Sequence, residues 1–316
     1  MPRLMTRTAA TLVFLFGVAL GGFATAQEAD RAPRVFAPGV ITVIPPELDP
    51  AETVSRHDIV EIRAQQQLDW TPELELVPGS RTLFEQSKQA RFQRDLWCLE
   101  FGFKPLRMIR LQAAEGGEQR LVWYLVYRVK NTGVALRPTE DASNGEFTTE
   151  EVSSGPVRFL PHLVLQGQDV APGGGKIYRA YLDRQIPGAL GPIRERETPG
   201  RPLLTGVEMA LEPIAEGEER WGVAMWEHID PEMDFFSVFV RGLTNAYEWT
   251  DPPGAYQAGD PPGKGRQFAH KTLQLNFWRP GDRFMQHESE VRYGVPPGKA
   301  SLYGVDEGVA YRWVYR

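Results

Sequence analysis

The sequence predicts an all-β protein that folds as an immunoglobulin-like antiparallel β-sandwich. Apolar and polar side chains alternate along many short segments after residue 91, a pattern typical of strands with one face on a core and one in water. Glycine and proline are abundant, 31 and 26 of 316 residues, and many lie in turns between these segments. The segments are not separated by long helical patterns, which favours a sandwich over a parallel α/β fold.

The region from Gln27 to Arg91 is rich in proline and is expected to be weakly structured or partly helical. Val40 to Ile44 form a candidate strand. Asp49 to Glu52 have the composition of a helix start, because aspartate is a good cap, proline suits the first turn and glutamate follows three residues later. We therefore expect a short helix that runs towards Gln67.

Residues 92–316 form the predicted sandwich region. A polar, acidic excursion is expected at 139–155, and one short helix is expected within 183–196. The alternating segments that we interpret as strands are 97–103, 121–130, 157–165, 207–212, 221–225, 236–241, 272–277 and 309–315. Their apolar positions are expected to face the core, among them Trp221, Val223 and Met225. Their polar positions are expected to face water, among them Ser237, Thr272, Gln274 and Asn276.

About 225 residues exceed a minimal sandwich. The sequence allows either one enlarged sandwich with long loops or two packed sandwiches with a boundary near 199–206. A closed or jelly-roll barrel is the alternative architecture.

The first 26 residues have the features of a secretory signal peptide. Arg3 and Arg7 form a basic start, 11–23 is an apolar run, and Ala24 to Ala26 place small residues where a signal peptidase cuts. We therefore expect export to the periplasm or the extracellular space, with Gln27 as the first mature residue. The alternative is an uncleaved membrane anchor. No later stretch is long and apolar enough to span a bilayer.

The charge balance argues against a nucleic-acid partner. The chain has 35 basic and 41 acidic residues, a net charge of −6. Signal removal takes away two basic residues and leaves 33 against 41, a net charge of −8. The basic residues are scattered, so no patch of the kind that binds nucleic acid is evident. The single cysteine, Cys98, excludes an intramolecular disulfide and a cluster held by several thiolates.

The sequence contains none of the common catalytic motifs that we tested. Gly174-Gly175-Lys176 and Gly263-Lys264 both lack the serine or threonine of a phosphate-binding loop. No Gly-x-Ser-x-Gly elbow is present, and no second histidine follows His287 at zinc-protease spacing. Cys98 lies in an apolar segment that disfavours a thiolate, so we expect a core thiol there. These observations favour a non-enzymatic protein.

One segment groups residues that could hold a divalent metal ion. His228, Asp230 and Glu232 alternate, with Asp234 close behind, and imidazole with carboxylates is a reasonable ligand set. His270 and His287 could join only if the fold brings them near. The alternative interpretation is a surface loop with solvated acids. No other cofactor is expected.

Four aromatic residues are candidates for a carbohydrate-stacking surface, because they fall out of phase with the strands or in loops: Trp226, Trp249, Tyr256 and Trp278. Single exposed aromatics are ordinary, however, and need no ligand. Glycosidase chemistry would also need two carboxylates across a cleft. Glu100, Glu208 and Glu227 lie on or beside strands, but the sequence does not pair them.

Three stretches carry a resemblance to known proteins: LWCLEFGFKP at 96–105, GLTNAY at 242–247 and FWRPGD at 277–282. Together they resemble an uncharacterised family of exported bacterial proteins of the planctomycete type, over most of the chain from about Arg91 onward. The resemblance implies export and carries no activity with it.

Three functional hypotheses follow. The first is a non-enzymatic β-sandwich that acts at the cell envelope as a structural or binding module, with an envelope protein or polysaccharide as partner. The second is a carbohydrate-binding or carbohydrate-active secreted protein. The third is a metal-dependent hydrolase built around His228 and Asp230.

Overall fold

Two antiparallel β-sheets pack face to face in the computed structural model, so the predicted all-β sandwich is confirmed. No helix within the described parts of the chain is long and apolar enough to span a membrane. The structure describes residues 40–56, 91–112, 119–141, 143, 146–177, 179–250, 252–254, 264–279 and 291–316.

The first sheet consists of β1 (Thr42–Ile44), β5 (Glu100–Phe103), β6 (Arg107–Leu111), β7 (Arg120–Lys130) and β12 (Glu219–Glu227). Its strands lie in the order β1-β5-β7-β12, and β6 also pairs with β7. β7 is 11 residues long and forms the centre of this sheet, which agrees with the long alternating segment predicted at 121–130.

The second sheet consists of β10 (His162–Gly167), β11 (Ala180–Leu182), β13 (Phe235–Arg241), β14 (Tyr247–Thr250), β15 (Gln267–Trp278), β16 (Arg292–Tyr293) and β17 (Tyr311–Tyr315). Its strands lie in the order β11-β10-β13-β15-β14, while β16 and β17 also pair with β15. β15 is therefore the central strand of this sheet.

The remaining strands form two smaller sheets. β2 (Val54–Arg56) pairs with β3 (Arg91–Gln93), and β4 (Leu96–Trp97) pairs with a hairpin of β8 (Val134–Glu140) and β9 (Phe147–Ser153). The polar excursion predicted at 139–155 thus lies largely within an ordered hairpin.

The main core lies between the two sheets and is rich in aromatic rings. Trp123 of the first sheet packs edge-on against Phe236 of the second at 5.5 Å between ring centroids, and Phe236 stacks on Phe277 at 5.6 Å. β7 pairs with β12, and β10 pairs with β13. Strands from both sides of 199–206 therefore share these sheets and this core, so the described residues on either side of that segment belong to one enlarged sandwich.

The outer face of the first sheet is covered, which corrects the prediction that each strand has one face in water. Segment 183–205 lies over it and contains helix α1 (Leu190–Glu197), the helix predicted within 183–196. A second apolar cluster forms there from Leu111, Val122, Tyr124, Val126, Ile186, Ala189, Ile193, Leu203, Val223 and Met225. Both faces of β7 and β12 are therefore buried.

The prediction that Trp221, Val223 and Met225 of β12 face the main core is wrong, because the outer face of this strand is also apolar and covered. Val223 and Met225 face the second cluster, whereas Ala224 and Trp226 face the main core. Alternation cannot identify the core side of a strand whose two faces are both apolar. Trp226 therefore looked out of phase in the sequence, although it is completely buried.

The outer face of the second sheet is also covered, but by polar contacts. Ser237, Gln274 and Asn276 point away from the main core and are at most 1% exposed. Helix α3 (Ala300–Tyr303) and the chain that follows it lie over them. These positions were predicted to face water.

Segment 206–211 forms helix α2 (Gly206–Leu211), where the sequence pattern predicted a strand. Thr205 and Glu208 form a capping box, in which each side chain bonds the other residue's backbone N–H. Reciprocal capping satisfies two backbone donors at the helix start and outweighs the alternating pattern. Met209 is buried, while Val207 and Leu211 are exposed.

In residues 40–56, the predicted strand and helix start are present, but the predicted long helix is not. β1 lies within the strand predicted at 40–44, and Asp49 caps a 3-10 helix at Pro50–Thr53. The chain then enters β2, so the predicted helix does not continue through Val54–Arg56. Its remainder towards Gln67 lies outside the described residues.

Candidate functional site

A cavity of about 380 Å³ opens beside the loop between β12 and β13. Residues within 167–177, together with Arg179, Lys299 and Leu302, form its other walls. We call it the acidic pocket, because four carboxylates and two cationic side chains line it: Asp169, Asp230, Glu232, Asp234, Arg179 and Lys299. Three of these residues, Asp230, Glu232 and Asp234, belong to the segment predicted to hold a metal ion.

Asp169 lies in the wall of the acidic pocket and is bonded to the chain at the start of β13. Its carboxylate accepts hydrogen bonds from the backbone N–H groups of Asp234 (3.3 Å) and Phe235 (3.2 Å). Burial raises the pKa of Asp169, and these hydrogen bonds oppose the rise. Burial also raises the pKa of Asp234, against the opposing charge of Arg279. Two neighbouring carboxyl groups thus favour protonation more than ordinary aspartates do.

His228 does not join the carboxylates with which it was grouped. It adopts a left-handed backbone conformation with φ of 57°, which breaks the alternation expected for an extended segment. Its side chain is 79% exposed, and its Nε2 lies 3.8 Å from the Glu227 carboxylate. The carboxylate of Asp230 instead pairs with Arg179 and accepts the Glu232 N–H at 3.1 Å.

The metal hypothesis gains no support from the described residues. Within them, no group of three or more histidine, cysteine, aspartate or glutamate side chains is arranged to hold a metal ion. His270 lies near the start of β15, with its ring 6.4 Å from the Tyr247 ring. Asp234 lies beside the other end of β15, where its carbonyl oxygen accepts from the Arg279 N–H. His287 lies outside the described residues.

The four aromatic candidates do not form one surface. Trp226 belongs to the core. Trp249 lies opposite Phe268 near one end of β15, whereas Trp278 ends the same strand, about 33 Å away at strand spacing. The Arg266 guanidinium lies 3.8 Å from the Trp249 ring centre. Tyr256 lies outside the described residues.

The remaining chemical candidates have structural partners. Glu208 closes the capping box of α2, Glu100 pairs with Arg128, and Glu227 accepts from Arg184 at 2.8 Å. Cys98 is 3% exposed, and burial raises the pKa of its thiol to about 12. The thiol is therefore neutral at physiological pH, as expected for a core cysteine.

A second cavity, of about 420 Å³, lies next to the acidic pocket on the outer face of the second sheet. We call it the basic groove. Its lining contains three cations and no carboxylate side chain: Gln166, Gln168, Lys176, Phe239, Gln274, Tyr303, Arg312, Val314 and Arg316. Gln168, Phe239, Gln274 and Tyr303 are buried and form its floor, while Lys176 and Arg316 are exposed at its rim.

The two cavities share a wall. Lys176 faces the basic groove and Ile177 the acidic pocket, just as Tyr303 and Leu302 line one cavity each. The Lys176 Nζ donates to the Leu302 carbonyl oxygen at 3.3 Å and joins the two sides of this wall. Together the cavities form one polar surface, which we call the binding face.

Neither a family model nor a curated protein nor a solved structure matches the chain. The site therefore has to be interpreted from its own residues.

Sequence reasoning located one wall of the acidic pocket and missed the basic groove. One feature of the sequence does indicate the covered polar face on which the basic groove lies. Ser237, Thr272, Gln274 and Asn276 occupy the positions predicted to face water, yet none of them is charged. Water-facing strand positions commonly carry charges, so uncharged amides and hydroxyls at four of them indicate a covered polar face.

Proposed function

We propose that the protein is an exported, non-enzymatic β-sandwich that acts as a binding module at the cell envelope and holds its ligand on the binding face. The observation that carries this proposal is the pair of adjoining cavities lined by charged and amide side chains. Ligand sites are usually concave and carry convergent polar groups, and the charged and amide lining of these two cavities suits a polar ligand better than an apolar one.

The sequence supports the export part of the proposal through the basic start, the apolar run at 11–23 and the small residues at 24–26. Expression of the full chain in a Gram-negative host should yield periplasmic protein that begins at Gln27. Full-length protein retained in the membrane fraction would contradict cleavage.

A hydrolase is the second candidate, because Asp169 and Asp234 both have raised pKa values. A protonated carboxyl group is what a general acid requires. The arrangement supports binding better, since Asp169 accepts two backbone hydrogen bonds and Asp230 is held by Arg179. These contacts fix the carboxylates in the wall of the pocket.

Affinity electrophoresis of the mature protein through gels that contain single polysaccharides tests the proposal, with release of reducing ends measured in parallel. We expect retardation without product release. Gln166→Trp, which fills the half-buried rim of the basic groove, should weaken retardation about tenfold. Arg110→Trp, at an exposed position of β6 on the other sheet, is the control and should have no effect.

Two results would contradict the proposed function. Absence of binding to every ligand tested, including envelope proteins, would remove the binding hypothesis. Product release that is lost in Asp169→Asn would move the function to the hydrolase.

A further inference from the structure

The basic groove concentrates positive charge in an acidic protein. The chain carries six more acidic than basic residues, yet three cationic side chains and no carboxylate side chain line this cavity. The neighbouring acidic pocket has the opposite balance, with four carboxylates and two cations. Such a local excess of one sign attracts ligands of the opposite charge and repels ligands of the same charge.

Neutral oxygen atoms hold the cations of the groove in place. Arg312 donates to the Gln274 Oε1 at 2.9 Å and to the Tyr303 carbonyl oxygen at 3.1 Å. Arg316 donates to the Gln166 Oε1 at 3.1 Å. Within the described residues none of these contacts is with a carboxylate, so the groove keeps its charge while the side chains stay oriented.

The groove is shaped for an extended polar ligand. It crosses β10, β13, β15 and β17, three strand spacings or about 14 Å in total. Gln166 at its rim and Gln168 on its floor carry amides, which both donate and accept hydrogen bonds as sugar hydroxyl groups do. The Phe239 ring is covered by the Arg316 guanidinium at 3.9 Å, and Tyr303 is 2% exposed. Neither aromatic residue that lines the groove is therefore offered to a nucleic-acid base.

We propose that the basic groove binds a segment of an acidic polysaccharide, with the amides of Gln166 and Gln168 on hydroxyl groups and with Lys176 and Arg316 on carboxylate or sulfate groups. This inference rests on the proposed binding function and names its ligand class. The contacts are direct, and no bond is made or broken.

The mature full chain is tested by calorimetry and affinity electrophoresis with three probes: polygalacturonate, dextran sulfate and unsubstituted dextran. We expect binding to at least one acidic polymer and at least tenfold weaker binding to dextran. The acidic polymer that binds with the lower dissociation constant shows whether the groove prefers carboxylate or sulfate groups. Raising the salt concentration should weaken binding, because the charged contacts lie at an exposed rim.

Charge reversal at the rim separates groove binding from general charge attraction. Lys176→Glu and Arg316→Glu should each raise the dissociation constant at least tenfold. Arg110→Glu changes the net charge by the same amount at an exposed position of the other sheet and should alter the constant less than twofold. Arg312 is not used as a probe, because its contacts also close helix α3 and its loss would disturb the fold.

Several outcomes would overturn the proposal. Equal weakening by Arg110→Glu would reduce the effect to net charge. Dextran bound as tightly as the acidic polymers would remove the acidic ligand but leave the binding function. Equal or tighter binding of polyglutamate would assign an acidic peptide instead. Failure of every polysaccharide, peptide and envelope protein to bind would remove both this inference and the proposed function.

Discussion

The outer faces of the two sheets are both covered, but by opposite chemistry. On the first sheet, Ile186, Ile193 and Leu203 pack against apolar side chains of β7 and β12. On the second, Gln274 and Asn276 bond the chain around helix α3. Apolar burial stabilises wherever surfaces fit, whereas hydrogen bonds need defined partners and leave polar cavities beside them. The first cover thus contributes apolar burial to the fold, whereas the second borders the cavities to which we assign the proposed binding function.

The apolar cover is fixed at one point by a buried charge cluster. The Glu197 carboxylate, 3% exposed, accepts from Arg107 Nη1 at 3.0 Å and from the Tyr124 hydroxyl at 2.9 Å. Lys104 lies 3.5 Å away. This cluster connects the end of α1 to β6 and β7. Removing the Glu197 carboxylate should therefore reduce stability more than any other substitution below.

Glu197→Ala should lower the free energy of unfolding by about 3–5 kcal/mol, because it leaves the buried Arg107 guanidinium without its counter-charge. Urea unfolding monitored by tryptophan fluorescence measures the change. Glu195→Ala, at an exposed position of the same helix, should cost less than about 0.5 kcal/mol. Equal effects of the two substitutions would show that the cover is not held by Glu197.

Ile193→Ala tests the packing of the same cover without touching its charges. Ile193 is completely buried between α1 and the first sheet, so its truncation should cost about 3 kcal/mol through lost burial and the cavity that remains. Arg194→Ala, at the next and exposed position, is the control. A loss below about 1 kcal/mol for Ile193→Ala would mean that the cover packs loosely.

The stability that Asp183 contributes, at the start of the segment covering the first sheet, should depend on pH. Asp183 accepts the Met225 N–H at 2.8 Å, and burial raises its pKa from 3.8 to about 6. A raised carboxyl pKa stabilises the fold below about pH 4, and this contribution disappears as the pH rises through about 6. Asp183→Asn should therefore gain stability relative to the parent between pH 4 and pH 7, by roughly 2 kcal/mol.

Urea unfolding at pH 4, 5.5 and 7.5 measures this gain. Asp141→Asn serves as the control, because hydrogen bonds from Ser143 lower the pKa of Asp141. A lowered carboxyl pKa gives a contribution that is lost as the pH falls, so the relative change should have the opposite sign. Parallel stability curves for the parent and Asp183→Asn would contradict the assignment.

The two covers also explain how far the sequence predicts this protein. Alternation located most strands, because it reports side chains that point to opposite faces whatever covers them. It failed to identify the inner face of β12, since Val223 and Ala224 are both buried. It misassigned Gly206–Leu211, where the cap formed by Thr205 decides the structure.

The binding face was predictable only in part. The acidic residues at 230–234 are adjacent in sequence and were found, but Asp169 reaches them through backbone hydrogen bonds across the fold. Lys176, Arg312 and Arg316 come from two distant segments, and nothing in their spacing indicates that they share a cavity. Sites assembled by long-range pairing leave no local pattern.

Gln274→Leu tests whether the cover of the second sheet depends on polar contacts. The Gln274 amide donates to Asn276 Oδ1 at 2.9 Å and to the Tyr303 carbonyl oxygen at 3.2 Å, and its carbonyl accepts from Arg312. Leucine has a similar size but leaves these partners unsatisfied, so stability should fall by about 1–2 kcal/mol. Urea unfolding measures the loss.

Gln267→Leu, at an exposed position of the same strand, controls for strand propensity and should change stability by less than about 0.5 kcal/mol. The leucine at 274 should also weaken ligand binding, because Arg312 loses the acceptor that orients it in the groove. If Gln274→Leu were instead more stable than the parent and bound ligand equally well, the second cover would hold by apolar burial, as the first does. The two faces would then differ in composition but not in how they are covered.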